Sequence, residues 1–213
     1  MAMRFDIITI FPRIFDSYVT ESLFKRAKEK GILEIKTHNL RDYTTDRHHK
    51  VDDRPFGGGP GMVIKVEPVA KAVKKLTARG NQKKTRVILF SLRGKKLTAA
   101  VAKRLATYDR LIMICGRYEG VDERVAQHIA DEEISIGDYV LSGGELPALV
   151  LVEAVARFIP GFLGKYESLE TIKGSHPAYT RPEIFKFGKG KGWPVPKVLL
   201  SGNHKNIENW RRK

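Results

Sequence analysis

Apolar residues gather into short runs at 5–10, 33–37, 86–91 and 110–115, with a briefer one at 132–136. Runs of this length, bounded by polar or glycine-bearing segments, read as strands. Between them apolar positions recur at helical spacing over 13–29, 67–77, 97–107, 121–130 and 146–158, the mark of helices with one buried face. Strands alternating with amphipathic helices predict an α/β domain built on a mostly parallel sheet. Pro160 and Gly161 close the last helix, because proline cannot continue it and glycine accepts the turn that follows.

Beyond that point the pattern loses its period and the composition shifts. Residues 161–213 hold 11 Lys/Arg against 4 Asp/Glu, whereas the first 160 hold 28 against 20. The division expected is therefore a domain over 1–161, a linker over 162–176 and a small basic C-terminal helical domain over 177–213. The chain has 213 residues, 42% of them hydrophobic, and a formal net charge of +15. That apolar content supports a full core and excludes global disorder. The charge exceeds what solubility needs and points to a polyanionic partner, nucleic acid before an acidic membrane surface. No run of 18 apolar residues and no N-terminal signal pattern is present, so no membrane partner is expected. The single cysteine, Cys115, excludes an internal disulfide and suits a reducing cytoplasm, hence a cytoplasmic protein. Leu111-Ile112-Met113-Ile114 precede it, which favours a core thiol over a nucleophile.

Three segments place glycine where a strand ends: Ser91-Leu92-Arg93-Gly94, Cys115-Gly116, and Gly137-Asp-Tyr-Val-Leu-Ser-Gly-Gly-Glu-Leu-Pro147. In the last, Gly143 and Gly144 stand directly before a helix, free to take positive φ and to let a ligand approach the main chain. Ligands of open α/β sheets bind beyond the carboxyl ends of the strands, so three such ends in succession predict one shared site. A fourth loop, Val51-Asp-Asp-Arg-Pro-Phe-Gly-Gly-Gly-Pro-Gly-Met62, offers exposed amides. It is no P-loop, since Gly-Lys-Ser/Thr does not follow, and no dinucleotide fingerprint, since no strand leads into it. Upstream of and within it, Asp46, His48, His49, Asp52 and Asp53 match no zinc spacing and read as a polar surface loop. In the basic segment Tyr179, Phe185, Phe187, Trp193 and Trp210 interleave with lysines. Aromatics so placed can stack nucleobases; a small core with a basic rim accounts for them equally well.

Taken together these motifs resemble the bacterial tRNA (guanine-N1)-methyltransferases, the TrmD-type enzymes of the knotted methyltransferase superfamily. The resemblance is carried by Asp46-Arg-His48, by 51–62, by Cys115-Gly-Arg-Tyr-Glu-Gly-Val-Asp-Glu-Arg124 and by Ser135-Ile-Gly-Asp-Tyr-Val-Leu-Ser-Gly-Gly-Glu-Leu-Pro147. It continues through Arg157-Phe-Ile-Pro-Gly161, Tyr179-Thr-Arg-Pro182 and Val198-Leu-Leu-Ser-Gly-Asn-His204. It implies a deep trefoil knot in the parallel domain, a rare exception to unknotted topology, and a homodimer with composite active sites. The implied reaction moves a methyl group from S-adenosylmethionine to N1 of guanosine 37 of tRNA. The donor would lie against Leu89, Phe90, Ser91, Leu92, Gly116, Tyr118, Glu119, Ser135, Ile136, Gly137, Tyr139, Leu141, Gly143 and Gly144. The RNA would meet Gly58, Gly59, Arg181, Ser201, Asn203 and His204. Arg157, from the partner subunit, would stabilise charge building on guanine O6. The general base, an Asp in the family, falls on Glu167, with Glu170 the other local carboxylate; a longer side chain there shifts the carboxylate. The family's Mg²⁺ requirement is implied by resemblance alone, and no metal ligand is identified.

Two departures stand out. Leu92 replaces the usual proline of the donor loop, and Leu89 a common tyrosine. The sequence ends at Trp210-Arg-Arg-Lys213, where family members usually continue, which predicts weaker tRNA binding with a compensating, salt-dependent contribution from the basic segment. A non-catalytic RNA-binding protein that keeps the donor pocket, or a methyltransferase for another RNA site, are the alternative readings.

Overall fold

In the computed structural model, residues 2–78, 84–164, 176–188 and 190–212 are described. The chain divides into two compact units, Met1–Leu163 and Gly164–Lys213.

The first unit runs β1 (Met3–Thr9), a 3-10 turn at Pro12–Phe15, α1 (Asp16–Val19), α2 (Ser22–Glu29), β2 (Leu33–Asn39), a second 3-10 turn at Leu40–Tyr43, β3 (Asp52–Asp53) and β4 (Val63–Ile64). It continues with α3 (Val66–Thr77), β5 (Thr85–Lys96), α4 (Ala99–Leu105), β6 (Arg110–Ile114), α5 (Glu123–His128), β7 (Glu132–Ser135) and α6 (Glu145–Ala156). Five strands form one sheet in the order β2-β1-β6-β5-β7, every pairing parallel. The alternation of side chains along a strand sorts the apolar residues onto two faces. Phe5, Ile7, Ile88, Leu111 and Met113 face α2, α4 and α6. Ile8, Val87, Leu89, Ile112 and Ile114 face α3 and α5. A sheet covered on both sides needs strands that are apolar nearly throughout, which is why β6 reads as an uninterrupted run.

A buried carboxylate interrupts the neighbouring strand β1. Asp6, fully buried in β1, accepts from Arg4 Nε at 2.8 Å, Arg110 Nε at 2.6 Å and His38 Nε2 at 2.6 Å. Arg110 also donates to the Leu76 carbonyl. Burial alone would raise the Asp6 pKa, but the hydrogen bonds from His38, Arg4 and Arg110 reverse this and hold it at about 2.

Two expected elements differ. The helix expected over 13–29 is broken into three pieces. Thr20 Oγ1 donates to the Asp16 carbonyl at 2.7 Å, competing with helix propagation, and Ser22 takes φ of +48°. The turn expected at 92–94 lies instead within β5, where the pairing with β7 shifts register between Phe90 and Lys95 and Ile134 faces both.

The second unit contains, among the described residues, β8 (Ile184–Phe185) paired antiparallel with β9 (Trp193–Pro194), and two short helices at Lys197–Leu200 and His204–Arg211. The expectation of a purely helical unit is corrected by this hairpin. Its seven-residue loop, Lys186–Gly192, alternates glycine with lysine and hid the two-residue strands from any periodicity argument.

Candidate active site

The register shift of β5 and the carboxyl ends of β6 and β7 open into one cavity of about 460 Å³, within the range of small-molecule sites. Leu89, Phe90, Ser91 and Leu92 enter it from β5, and Gly116, Tyr118 and Glu119 from the segment after β6. Ser135, Ile136, Gly137, Tyr139, Leu141, Gly143 and Gly144 enter from the connection between β7 and α6. The structure thus brings together every residue that the sequence assigned to the donor.

The reason for glycine at the end of this connection differs from the expected one. Gly144 has φ of −82°, and Gly143 is not among the positive-φ residues. Space is the constraint at Gly144: a Cβ would sit 2.6 Å from Cys115 Cα and 3.0 Å from the Gly116 nitrogen. The Gly144 amide donates to the Gly116 carbonyl at 2.9 Å, and Gly143 bridges to Arg117. The 141–144 segment is thereby pressed onto the exit of β6.

Beneath this contact lies a buried polar cluster that sequence reasoning missed. Glu145, 2% exposed, accepts from Thr9 Oγ1 at 2.7 Å and from Arg117 Nε at 2.9 Å. The Arg117 guanidinium lies 4.8 Å from the centroid of the Phe11 ring. A carboxylate in the first turn of α6 also complements the helix dipole. The signal was available: an acid between two glycines and the apolar run Leu146–Val152. Cys115, in the same layer, is buried, and burial pushes its thiol well above the ordinary value.

Three further features shape the cavity. Glu133 lines it, and its Oε2 is buried without a hydrogen-bond partner; the guanidinium of Arg93 stands 3.8 Å away. Tyr118 holds a left-handed φ of +59°, an unusual conformation for a side chain with Cβ. The glycine loop between β3 and β4 is tied to the cavity wall: the Glu119 amide donates to the Met62 carbonyl at 3.0 Å, and the Ile64 amide to the Gly120 carbonyl at 2.9 Å. Gly58 and Gly59, with φ of +79° and +118°, are exposed on that loop, and Phe56 is wholly exposed beside them. Asp46 serves the preceding turn, accepting the amides of His48 at 3.0 Å and Lys50 at 3.1 Å. Among the described residues no three His, Cys, Asp or Glu side chains converge as a metal site.

Arg157 does not join the cavity of its own chain. It caps the carboxyl end of α6, while the cavity is at the amino end, a helix length of roughly 18 Å away at 1.5 Å per residue. Glu167 and Glu170 lie outside the described residues. In the second unit Arg181 and His204 are exposed. Ser201 Oγ donates to the Val198 carbonyl at 2.7 Å, and Asn203 Oδ1 accepts the Asn206 amide at 3.1 Å, so both shape the entry to the helix His204–Arg211.

A parallel α/β domain with a ligand-sized cavity at its strand ends, followed by a basic unit, defines an enzyme-like architecture directed at a polyanion. Sequence comparison makes this specific. The tRNA (Guanine-1)-methyltransferase TrmD family matches residues 3–213, and the chain belongs to that family. It is 52% identical to a tRNA (guanine-N(1)-)-methyltransferase of Geotalea uraniireducens and 49% identical to one of Dehalococcoides mccartyi. Each comparison covers 99% of this chain and 85% of the relative. The crystal structure of a tRNA (m1G37) methyltransferase from Aquifex aeolicus superposes with a TM-score of 0.81 at 41% identity, covering 99% of this chain and 88% of that one. No helix of the described residues is long and apolar enough to cross a membrane.

Proposed function

We propose that the protein transfers a methyl group from S-adenosylmethionine to N1 of guanosine 37 of tRNA. The observation that carries this reading is the single cavity formed by all the donor-assigned residues in a chain of this family. The cavity suits the donor chemically. Apolar Leu89, Ile136, Leu141 and Pro147 offer a slot for a purine ring, and Glu133 Oε2, ion-paired with Arg93 at 3.8 Å but without a hydrogen bond, can accept one from a ligand. When bound, S-adenosylmethionine supplies an electrophilic methyl group on a sulfonium. The protein's own task is to make guanine N1 a nucleophile. Glu167 takes the N1 proton as general base. Arg157 of the partner subunit stabilises the negative charge on O6. No step is assigned to Mg²⁺.

A composite site in a homodimer belongs to the same proposal. Within one chain Arg157 and the cavity occupy opposite ends of α6, so a second chain has to bring them together. α6 also has exposed Leu146 and Val150, and Phe11, Ile14 and Tyr18 are exposed on the neighbouring 3-10 turn and α1. Tyr18 hydroxyl donates to Glu153 of α6 at 3.0 Å. Such an apolar face suits burial against a second copy. The trefoil knot is likewise proposed, supported by the close passage of 143–144 over the exit of β6.

The test is transfer of labelled methyl from S-adenosylmethionine, with Mg²⁺ present, to tRNA transcripts carrying guanosine or adenosine at position 37. Transfer to the guanosine transcript alone is expected; equal labelling of both would overturn the substrate assignment. Glu167→Gln is expected to lower kcat by about 10²–10⁴ with donor binding intact; if Glu170→Gln alone does so, Glu170 is the base. Mixing Arg157→Ala with Leu141→Glu protein is expected to restore activity, since one hybrid site then combines an intact cavity with an intact arginine. No restoration would place Arg157 in the site of its own chain.

A further inference from the structure

The hairpin of the second unit presents an aromatic cluster that the site described above does not use. Phe185 and Trp193 face each other across its register, with centroids 5.6 Å apart. Phe187 lies over Trp193 at 6.1 Å with 21° between ring planes, and beside Phe185 at 6.5 Å and 26°. These spacings are those of interacting aromatic pairs, yet the group is no core. Phe187 is 74% exposed and Trp193 63%, and no described residue of the unit is buried. The loop between the strands, Lys186-Phe-Gly-Lys-Gly-Lys-Gly192, carries three lysines and no acid.

Phe187 stacks on both Phe185 and Trp193, which are tilted 44° to each other, and flat rings held in water at an apolar cost need a partner with a flat apolar face. A connecting segment with three lysines and no acid in its sequence requires that partner to be anionic. A second copy of the hairpin fails the charge condition, because it would bring its own lysines against these. An unpaired nucleotide meets both conditions, with its base on the rings and its phosphates on the lysines. We propose that the hairpin 184–194 is a base-stacking platform that holds an unpaired nucleotide of the tRNA, apart from the target guanosine in the active site. The proposal rests on the tRNA substrate argued above.

The probe is an unmodified tRNA transcript that the wild-type protein methylates, with Kd from filter binding and KM and kcat from methyl transfer. Phe187→Ala and Trp193→Ala are each expected to raise Kd and KM about tenfold, the range of base–aromatic stacking, with kcat at saturating tRNA within about twofold. Trp193→Tyr is expected to restore binding. Lys191→Ala is expected to flatten the dependence of log Kd on log salt, whereas the aromatic variants leave its slope unchanged. Wild-type Kd and KM in both aromatic variants would overturn the platform. So would a loss of binding that sedimentation traces to dissociation of the dimer, which would make the rings a contact between copies. Absence of methyl transfer by the wild-type protein would instead defeat the tRNA reading; direct binding of a single-stranded oligoribonucleotide by wild type but not Phe187→Ala would still uphold a stacking platform.

Discussion

The two units carry nearly equal net charge, +8 over residues 1–163 and +7 over 164–213, and use it in opposite ways. In the first, arginines turn inward. Arg4 and Arg110 hold Asp6, Arg86 and Arg104 hold Glu132, and Arg117 holds Glu145. These pairs sit in or beside two apolar cores that sandwich the sheet. In the second unit, none of whose described residues is buried, pairing is of the kind seen between Arg212 and Glu208, both exposed on one helix. Charge in a dry layer cross-links the fold; charge on a thin scaffold is free to meet a polyanion. Both tryptophans, Trp193 and Trp210, belong to the second unit, so tryptophan fluorescence follows it while far-UV circular dichroism follows mainly the first.

The largest effect is expected from Asp6→Asn. An amide cannot satisfy two guanidiniums and leaves the buried Arg110 as a charge without its counter-ion. Loss of one partner of a buried pair costs about 3–5 kcal/mol. The urea midpoint by circular dichroism should fall accordingly, with the fluorescence transition in place. If both transitions move together, the two units unfold as one and do not differ in what holds them.

A smaller effect is expected from acid. The Asp6 pKa is about 2 in the folded protein against an ordinary 3.8. Its contribution is therefore complete above about pH 4 and is lost as pH falls toward 2, a difference of about 2 kcal/mol. Glu132 acts in the same direction: burial would raise its carboxyl, but hydrogen bonds from Arg104 and Arg86 hold it below the ordinary range. Urea midpoints of the first unit between pH 5 and pH 2.5 should decline in this window. In Asp6→Asn the decline should be shallower, and an unchanged slope would remove Asp6 as its main source.

How much of this was legible in the sequence follows the same division. β1, β2, β6, β7 and α3 to α6 fall within a few residues of their sequence boundaries, because a strand covered on both faces and a helix with one buried face must each declare themselves in apolar spacing, whereas β5 runs on to Lys96, past its expected end at 91. The cavity was legible because glycine marks strand ends where chains crowd, even though Gly144 answers to space and not to φ. What stayed hidden was whatever has no period: the Asp6 and Glu145 clusters join residues more than 100 positions apart, and the hairpin of the second unit has two-residue strands. The choice between a small aromatic core and an open aromatic surface could not be made from residue types, since both use the same rings. Exposure decided it.

The smallest effect bears on what Asn203 does. Its side chain accepts the Asn206 amide at 3.1 Å, satisfying one of the free donors at the start of the helix His204–Arg211. Eight residues form a marginal helix alone, so loss of the cap through Asn203→Ala should cost that helix about 1 kcal/mol. Trp210, on the same helix, should report the loss by fluorescence, while the circular dichroism midpoint of the first unit stays put. The resemblance also assigns Asn203 to RNA, and the two roles separate on one further variant. Serine caps nearly as well as asparagine but lacks its amide donors. If Asn203→Ser restores the fluorescence signal and the wild-type tRNA Kd together, Asn203 serves RNA binding by fixing the helix. If the signal returns and the affinity does not, the amide itself touches the RNA.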